Sequence, residues 1–409
     1  MNDLFSKIAS FEAALPFVFW SAACFYLCLA AVVLSPRLRR RVRDYFSPAV
    51  PSSGEYIAFL DVIKGMAILA IASFHTWQWL MPFNNAIGIK VVRQGFQGVA
   101  VFAILSGFLL CNSLMRSEIN ISGLKAFYVS RFLRIYPLFL VTALFALAMG
   151  YVERGALMPQ DVLADVFMLK VFGYPRYINP PAWFLYVLVL FYLLLPVWYI
   201  AAGKFRMHLA VIALVVLSLI TETAPRELHL MRYFVLGAVA SMTAVRLKGM
   251  KNVWAYLLLA LGAFLCASEV FHNKDLISMG LDAISRPVGL DLSLDTKFTS
   301  LGFGYGFAMI LLGMLSMPDL FNRLSVYPLR FIGIIAYSIY MWHGIIIATN
   351  FGIYFNGHDG VTRLLTGPEV RGDLYSLLGL YFPAFIIIAA LSYAVIERPF
   401  MRVTRKAGA

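Results

Sequence analysis

Long apolar runs alternate with short polar connections along this chain. Runs able to cross a bilayer, which takes about 20 apolar residues in a helix, fall near 16–34, 58–80, 97–115, 133–151, 183–201, 207–221, 229–246, 253–270, 299–316, 331–351 and 375–396. The pattern predicts an all-α, polytopic transmembrane helical bundle of about eleven spans, with 207–221 the shortest. Ionisable side chains inside such runs stand out. They are costly in hydrocarbon, so they face a protein interior or a wet cavity. The 58–80 run carries Asp61, Lys64 and His75. The spacing of Lys64 and His75 brings them back to within about 20° of one helical face, with roughly 16 Å of rise between them. Asp61 precedes Lys64 by one turn on a nearby face. The span reads as one wall of a polar cavity that runs most of the way through the membrane.

Composition agrees with the pattern. Of the 409 residues, 61% are hydrophobic and 15% aromatic, and the mean hydropathy is +0.79, which excludes an ordinary soluble domain. A net charge of +13 could suit nucleic acid, but the basic residues sit in short connections, where they orient helices, so no nucleic-acid partner is expected. Cys24, Cys28, Cys111 and Cys266 all lie in apolar runs without a CxxC pair, so neither a disulfide framework nor a metal site is expected. The connections holding Arg37–Arg43, Arg131 and Arg134, Lys204 and Arg206, and Arg398–Lys406 fall on one side of the alternate threading. The positive-inside rule places that side in the cytoplasm, with the N-terminus outside and the C-terminus inside. The first basic cluster follows the 16–34 run, which marks a retained span and not a cleaved signal. The longer connections, 152–182, 271–298 and 352–374, fall outside. An amphipathic stretch around Asp161–Phe172 is expected to lie along the membrane surface.

Six motifs in order resemble the acyltransferase-3 family of integral-membrane acyltransferases, over roughly residues 57–403. Leu60-Asp61 … Lys64-Gly65 … Phe74-His75 resembles its first core helix, a basic residue, ten residues, then histidine. Gly98-Val-Ala-Val-Phe102-Ala-Ile-Leu-Ser106-Gly107-Phe108 resembles the second-helix pattern. Phe127-Tyr-Val-Ser-Arg131-Phe-Leu-Arg134-Ile-Tyr136-Pro137 resembles the basic opening of the third. Trp183-Phe-Leu-Tyr186 … Phe191-Tyr192 … Pro196, Ala336-Tyr337-Ser338-Ile-Tyr340-Met-Trp342-His343 and Ile396-Glu397-Arg398-Pro399-Phe400 resemble three later segments. The sequence departs from the pattern in three places. Lys64 stands where arginine is commoner, and Leu188 stands where many members carry an acid. The 16–34 span precedes the usual ten, and no esterase-like domain follows them. On this basis residues 1–57 form an additional span with a basic cytoplasmic loop, and 58–409 the acyltransferase-3-like domain.

The resemblance implies transfer of an acyl group, most simply acetyl, from cytoplasmic acyl-CoA to a hydroxyl of an envelope carbohydrate in the bacterial inner membrane. Acyl-CoA, acetyl-CoA in the simplest case, would be a donor substrate; no bound cofactor is expected. The acceptor would be an O-antigen, exopolysaccharide, peptidoglycan or lipid-linked sugar. Other partners would be membrane lipid and envelope-polysaccharide biosynthesis proteins. His75 would be the general base, since its ordinary pKa of about 6.5 suits a hydroxyl proton, with Lys64, beside Asp61, either binding donor phosphate or setting the charge along the cavity. Arg131, Arg134, Ser106 and Tyr136 would meet the donor, the arginines through coenzyme A phosphates. His343, Trp183 and Tyr337 are further candidates. Structural roles compete for each residue: Lys64 can snorkel, the arginines satisfy topology, Ser106-Gly107 and the Gly302/Gly306 pair permit close helix packing, and Glu397 with Arg398 forms a structural ion pair. A transporter or flippase for a lipid-linked sugar would use the same cavity without chemistry, but the two halves show no sequence symmetry.

Overall fold

The fold is that of a computed structural model, which describes residues 20, 23–32, 34–46, 56–80, 89–148, 159–169, 178–219, 226–247, 250–272, 275–285, 287, 300–351 and 374–407. The described residues form helices and no strand. In chain order they are α1 (Ala23–Val32) and α4 (Ile89–Arg116), with α2 (Pro36–Phe46), α3 (Ala58–Leu80), α5 (Ile121–Ala148), α6 (Pro159–Val166), α7 (Trp183–Ala201), α8 (Arg206–Ser218), α9 (Arg226–Arg246), α10 (Asn252–His272), α11 (Leu276–Ser285), α12 (Leu301–Ser316), α13 (Pro318–Arg323), α14 (Tyr327–Ile334), α15 (Ala336–Phe351), α16 (Leu374–Ser392) and α17 (Arg398–Ala407). A π turn, Tyr393–Glu397, joins the last two.

Each of the predicted runs carries a helix, but not every helix crosses a membrane by its own length. Among the described residues 7 helices are long and apolar enough, or up to 8 if the pair α14 and α15, bent by 71°, is one span. α1, α8 and α12 are shorter. Residues 16–19, 21, 22 and 33 of the first run and residues 352–373 lie outside the described residues.

Large apolar side chains face outward as well as inward. Phe132 and Leu144 on α5, Leu193 and Val197 on α7, Ile212 and Val216 on α8, and Leu261 and Phe264 on α10 are exposed, around an apolar core within which Asp61, Arg232, His343 and Glu397 are also buried. An apolar exterior with the ionisable groups turned inward is what a lipid-facing bundle requires.

Two glycine crossings set the centre. A Cβ on Gly333 of α14 would lie 1.8 Å from the Asp61 carbonyl oxygen of α3, and one on Gly65 would lie 2.3 Å from that of Leu329. Backbones can approach this closely only where small residues meet. Gly107 of α4 and Gly237 of α9 cross in the same manner, each Cβ falling 2.0 Å from a facing carbonyl oxygen. Gly306 lies against Gly262, as its packing role predicts. Gly333→Ala should therefore push α14 off α3 and cost about 1–3 kcal/mol, the usual range for overpacking. Gly280→Ala, with open space around its Cβ, is the silent control. Thermal unfolding in detergent should separate the two.

One expectation is corrected, the Glu397–Arg398 ion pair, and α6 has a polar anchor that its sequence pattern does not show. Asp165 is buried and accepts hydrogen bonds from the Tyr186 hydroxyl and, at 2.8 Å, from the Ile178 N–H. Leu163 and Phe167 point outward instead. Glu397 and Arg398 have separate partners. Glu397 accepts from Ser338, while the Arg398 guanidinium covers the Tyr45 ring at 3.5 Å, tying α2 to the core.

Candidate active site

The predicted Asp61–Lys64 pair forms at the start of α3, as one-turn spacing dictates. The Lys64 side chain is 19% exposed and that of Asp61 7%. The other Asp61 oxygen accepts from the Tyr56 hydroxyl. Arg330 donates to that hydroxyl at 3.2 Å, with its guanidinium 5.3 Å from the Tyr56 ring centre. Burial first, and then the Asp61 carboxylate, push the Tyr56 phenol well above its ordinary pKa. It stays protonated and serves as a donor. The result is a chain Arg330–Tyr56–Asp61–Lys64 that sequence reading missed, because Arg330 reads as one more topological charge. The Gly65–Gly333 crossing brings it to α3.

Lys64 opens into a cavity of about 180 Å³, lined also by Ser106, Arg131, Arg134, Tyr192, Tyr337 and Tyr340, with Ile71, Phe102, Leu188 and Ile334 among its apolar walls. Six helices contribute, α3, α4, α5, α7, α14 and α15. The bend between α14 and α15 faces it through Gly333, Ile334, Ala336 and Tyr337. Leu188 makes that wall apolar, so the departure from the acidic pattern changes the surface of the cavity itself.

Arg131 donates to the Ser113 hydroxyl at 3.1 Å and leaves its Nε buried without a protein hydrogen bond among the described residues. One turn further along α5, Arg134 faces the same cavity. Their shared face follows from the three-residue spacing. Ser106 lines the cavity, while its neighbour Gly107 does the packing. Tyr337 donates to the Ile135 carbonyl at 2.7 Å and joins α15 to α5. Tyr136 is not brought into the cavity. It stacks on Phe132, with ring centres 4.6 Å apart, and lines a separate, mainly apolar groove between α5 and α7, to which Arg131 and Tyr192 also contribute. Trp183 does not line the cavity either; its ring meets Phe184 edge-on at 6.3 Å.

His75 lies one turn beyond Ile71 on α3, and His343 one turn beyond Tyr340 on α15, so the two leave the cavity's far end together. His75 Nδ1 is 2.7 Å from His343 Nε2, and the rings lie nearly parallel, 10° apart. The two residues are 268 positions apart in sequence. Cationic groups at one end and an imidazole pair at the other can hold an anionic donor and move a proton. Among the described residues no group of three metal-ligating side chains occurs.

The family model of the acyltransferase domain, Acyl_transf_3, matches residues 57–397. The chain belongs to the acyltransferase-3 family. As a family member with an apolar exterior and several helices long and apolar enough to cross a membrane, it is a polytopic membrane acyltransferase. It is 26% identical over 299 residues to ORF330 of Acidianus two-tailed virus, a protein named as an acetyltransferase, in a match covering 69% of this chain and 80% of that one. It is 34% identical over 124 residues to nodulation protein 10 of Rhizobium leguminosarum bv. viciae, covering 30% of this chain and 32% of the relative. It is 34% identical over 87 residues to the peptidoglycan O-acetyltransferase OatA of Listeria monocytogenes, covering 21% of this chain and 12% of that protein. No solved structure matches this acyltransferase-3 member.

Proposed function

We propose that this protein transfers an acetyl group from acetyl-CoA at the cytoplasmic face of a bacterial inner membrane to a hydroxyl of a cell-envelope carbohydrate. The observation that carries the reading is the cavity with Lys64, Arg131 and Arg134 in its wall and the His75–His343 pair one helical turn past its other end. With the basic connections in the cytoplasm, α3 starts at the inner face, and His75 lies about 25 Å along it, in the outer half of the bilayer. The cations take the donor phosphates, and the long pantetheine arm follows the apolar wall toward the histidines. His75 takes the proton of the acceptor hydroxyl. The hydroxyl oxygen bonds to the thioester carbonyl carbon, the carbon–sulfur bond breaks, and the departing thiolate takes the proton back from His75. Coenzyme A and an O-acetyl ester result, with no acyl-enzyme. The Listeria relative, named for O-acetylating peptidoglycan, supports a carbohydrate acceptor.

Arg134→Ala should raise the Michaelis constant for acetyl-CoA roughly ten- to a hundred-fold, since a charge-assisted contact is worth about 1.5–3 kcal/mol, and leave that for the acceptor nearly unchanged. Arg131→Ala should do the same but also release Ser113, so Arg134 is the cleaner probe. An unchanged donor constant in variants of normal orientation would reduce both arginines to topology.

A further inference from the structure

Two backbone carbonyls meet one ring nitrogen of His343. Its Nδ1 lies 2.8 Å from the Tyr340 oxygen and 3.2 Å from the Ile339 oxygen. A carbonyl oxygen only accepts, so Nδ1 of His343 carries a proton. In the neutral ring Nε2 then holds the lone pair. The hydrogen between Nε2 and the His75 Nδ1, 2.7 Å away, must therefore come from His75. The His343 side chain is fully buried. The Tyr340 ring lies 5.8 Å away and the Phe385 ring meets it edge-on at 6.4 Å, so it is packed against turning away.

We infer that His343 is a positioning residue that fixes His75 in its Nδ1–H form, and so makes Nε2 of His75 the atom that removes the acceptor's proton. This rests on the general-base reading above and names the atom it needs. The proton on one imidazole nitrogen is set by the bond the other makes. Here the order is Tyr340 carbonyl, His343, His75, acceptor hydroxyl. When Nε2 takes the hydroxyl proton, Nδ1–H still donates to His343, whose lone pair steadies the imidazolium. The same proton leaves Nε2 for the thiolate, and the proton between the rings never moves. A carboxylate in the place of His343 would orient the ring too, but as a buried charge it would carry a large desolvation cost. A neutral imidazole anchored on its own helix gives the orientation without it.

A side chain that only fills space would tolerate an apolar replacement of similar size; one that accepts a hydrogen bond would not. Membrane vesicles from cells expressing the full chain, supplied with radiolabelled acetyl-CoA, give the rate. His343→Leu should lower the maximal rate on the order of 10²–10⁴-fold, the range for general-base catalysis, with an imidazole held wholly in the wrong tautomer near the upper end at about 10⁴-fold, without moving the Michaelis constant for acetyl-CoA. His343→Gln, whose amide oxygen can accept from His75, should restore the rate to within about ten-fold of the parent. Nitrogen NMR of isotope-labelled histidine in the same proteins, assigned through His75→Ala, should show Nδ1 of His75 protonated in the parent and in His343→Gln, and a tautomer mixture in His343→Leu. If His75→Ala is inactive but His343→Leu keeps its maximal rate, or if His75 keeps its tautomer in His343→Leu, the inference is overturned and the general-base reading stands. If His75→Ala transfers acetyl normally, both fall.

Discussion

His75→Ala should lower acetyl transfer by about 10²–10⁴-fold, the range for loss of a general base, while the protein still inserts and folds. The two effects separate because the anchors of α3 lie elsewhere. Its first half is held by the Gly65–Gly333 crossing and by the Tyr56 hydroxyl on Asp61, with Arg330 behind it; His75 sits near its other end. Truncation leaves the His343 Nε2 without its donor, a loss of about 1–3 kcal/mol, which a melting curve in detergent will register. Transfer should be read from label moved out of acetyl-CoA under conditions where the parent and the variant are present in equal amount. Near-parental turnover would remove His75 from the chemistry.

Lys64→Met should lose both activity and stability, while Lys64→Arg keeps most of both. Methionine retains the apolar length but not the charge. Breaking a buried pair by deleting one partner costs about 3–5 kcal/mol where nothing else compensates. Here Asp61 keeps the Tyr56 hydroxyl, with Arg330 behind it, so the stability loss should fall toward the lower end of that range. The activity loss should be the larger effect, because the cavity also loses one of its cations. Arginine restores the charge and reaches both Asp61 and the cavity. A folded Lys64→Met protein with full turnover would show that Lys64 only snorkels.

The sequence made the helices and the near neighbours legible. One-turn spacing was enough for Asp61 with Lys64 and for Arg131 with Arg134, because an α-helix fixes those distances. A helix in each apolar run was legible; the short helices between the runs and the crossing lengths were not: the 299–316 run gives a helix of 16 residues, and the 331–351 run bends by 71° with only Gly333 as a local sign. Long-range pairs carry no signal in spacing. His343 was named from resemblance, and only the fold sets it on His75. Tyr136 shows the converse. Motif membership pointed to the donor, but a helix turns about 100° per residue, so Tyr136, two positions after Arg134, faces a different groove. Asp165 was invisible because a polar residue in an amphipathic stretch normally faces water; in a bundle with an apolar exterior the polar side turns inward. Arg330 and Tyr56 were invisible because charge near a span end already has a topological explanation.

Acyl transfer and sugar transport predict different fates for one labelled atom. Vesicles from cells carrying the parent chain or His75→Ala should be given acetyl-CoA labelled in its acetyl carbon, and the envelope glycans then analysed by mass spectrometry for ester-linked label. Transfer with His75 as base predicts labelled O-acetyl groups on a glycan with the parent chain and none above background with His75→Ala. Equal labelling with both, or no labelling with the parent while a lipid-linked sugar still crosses the membrane, would contradict it.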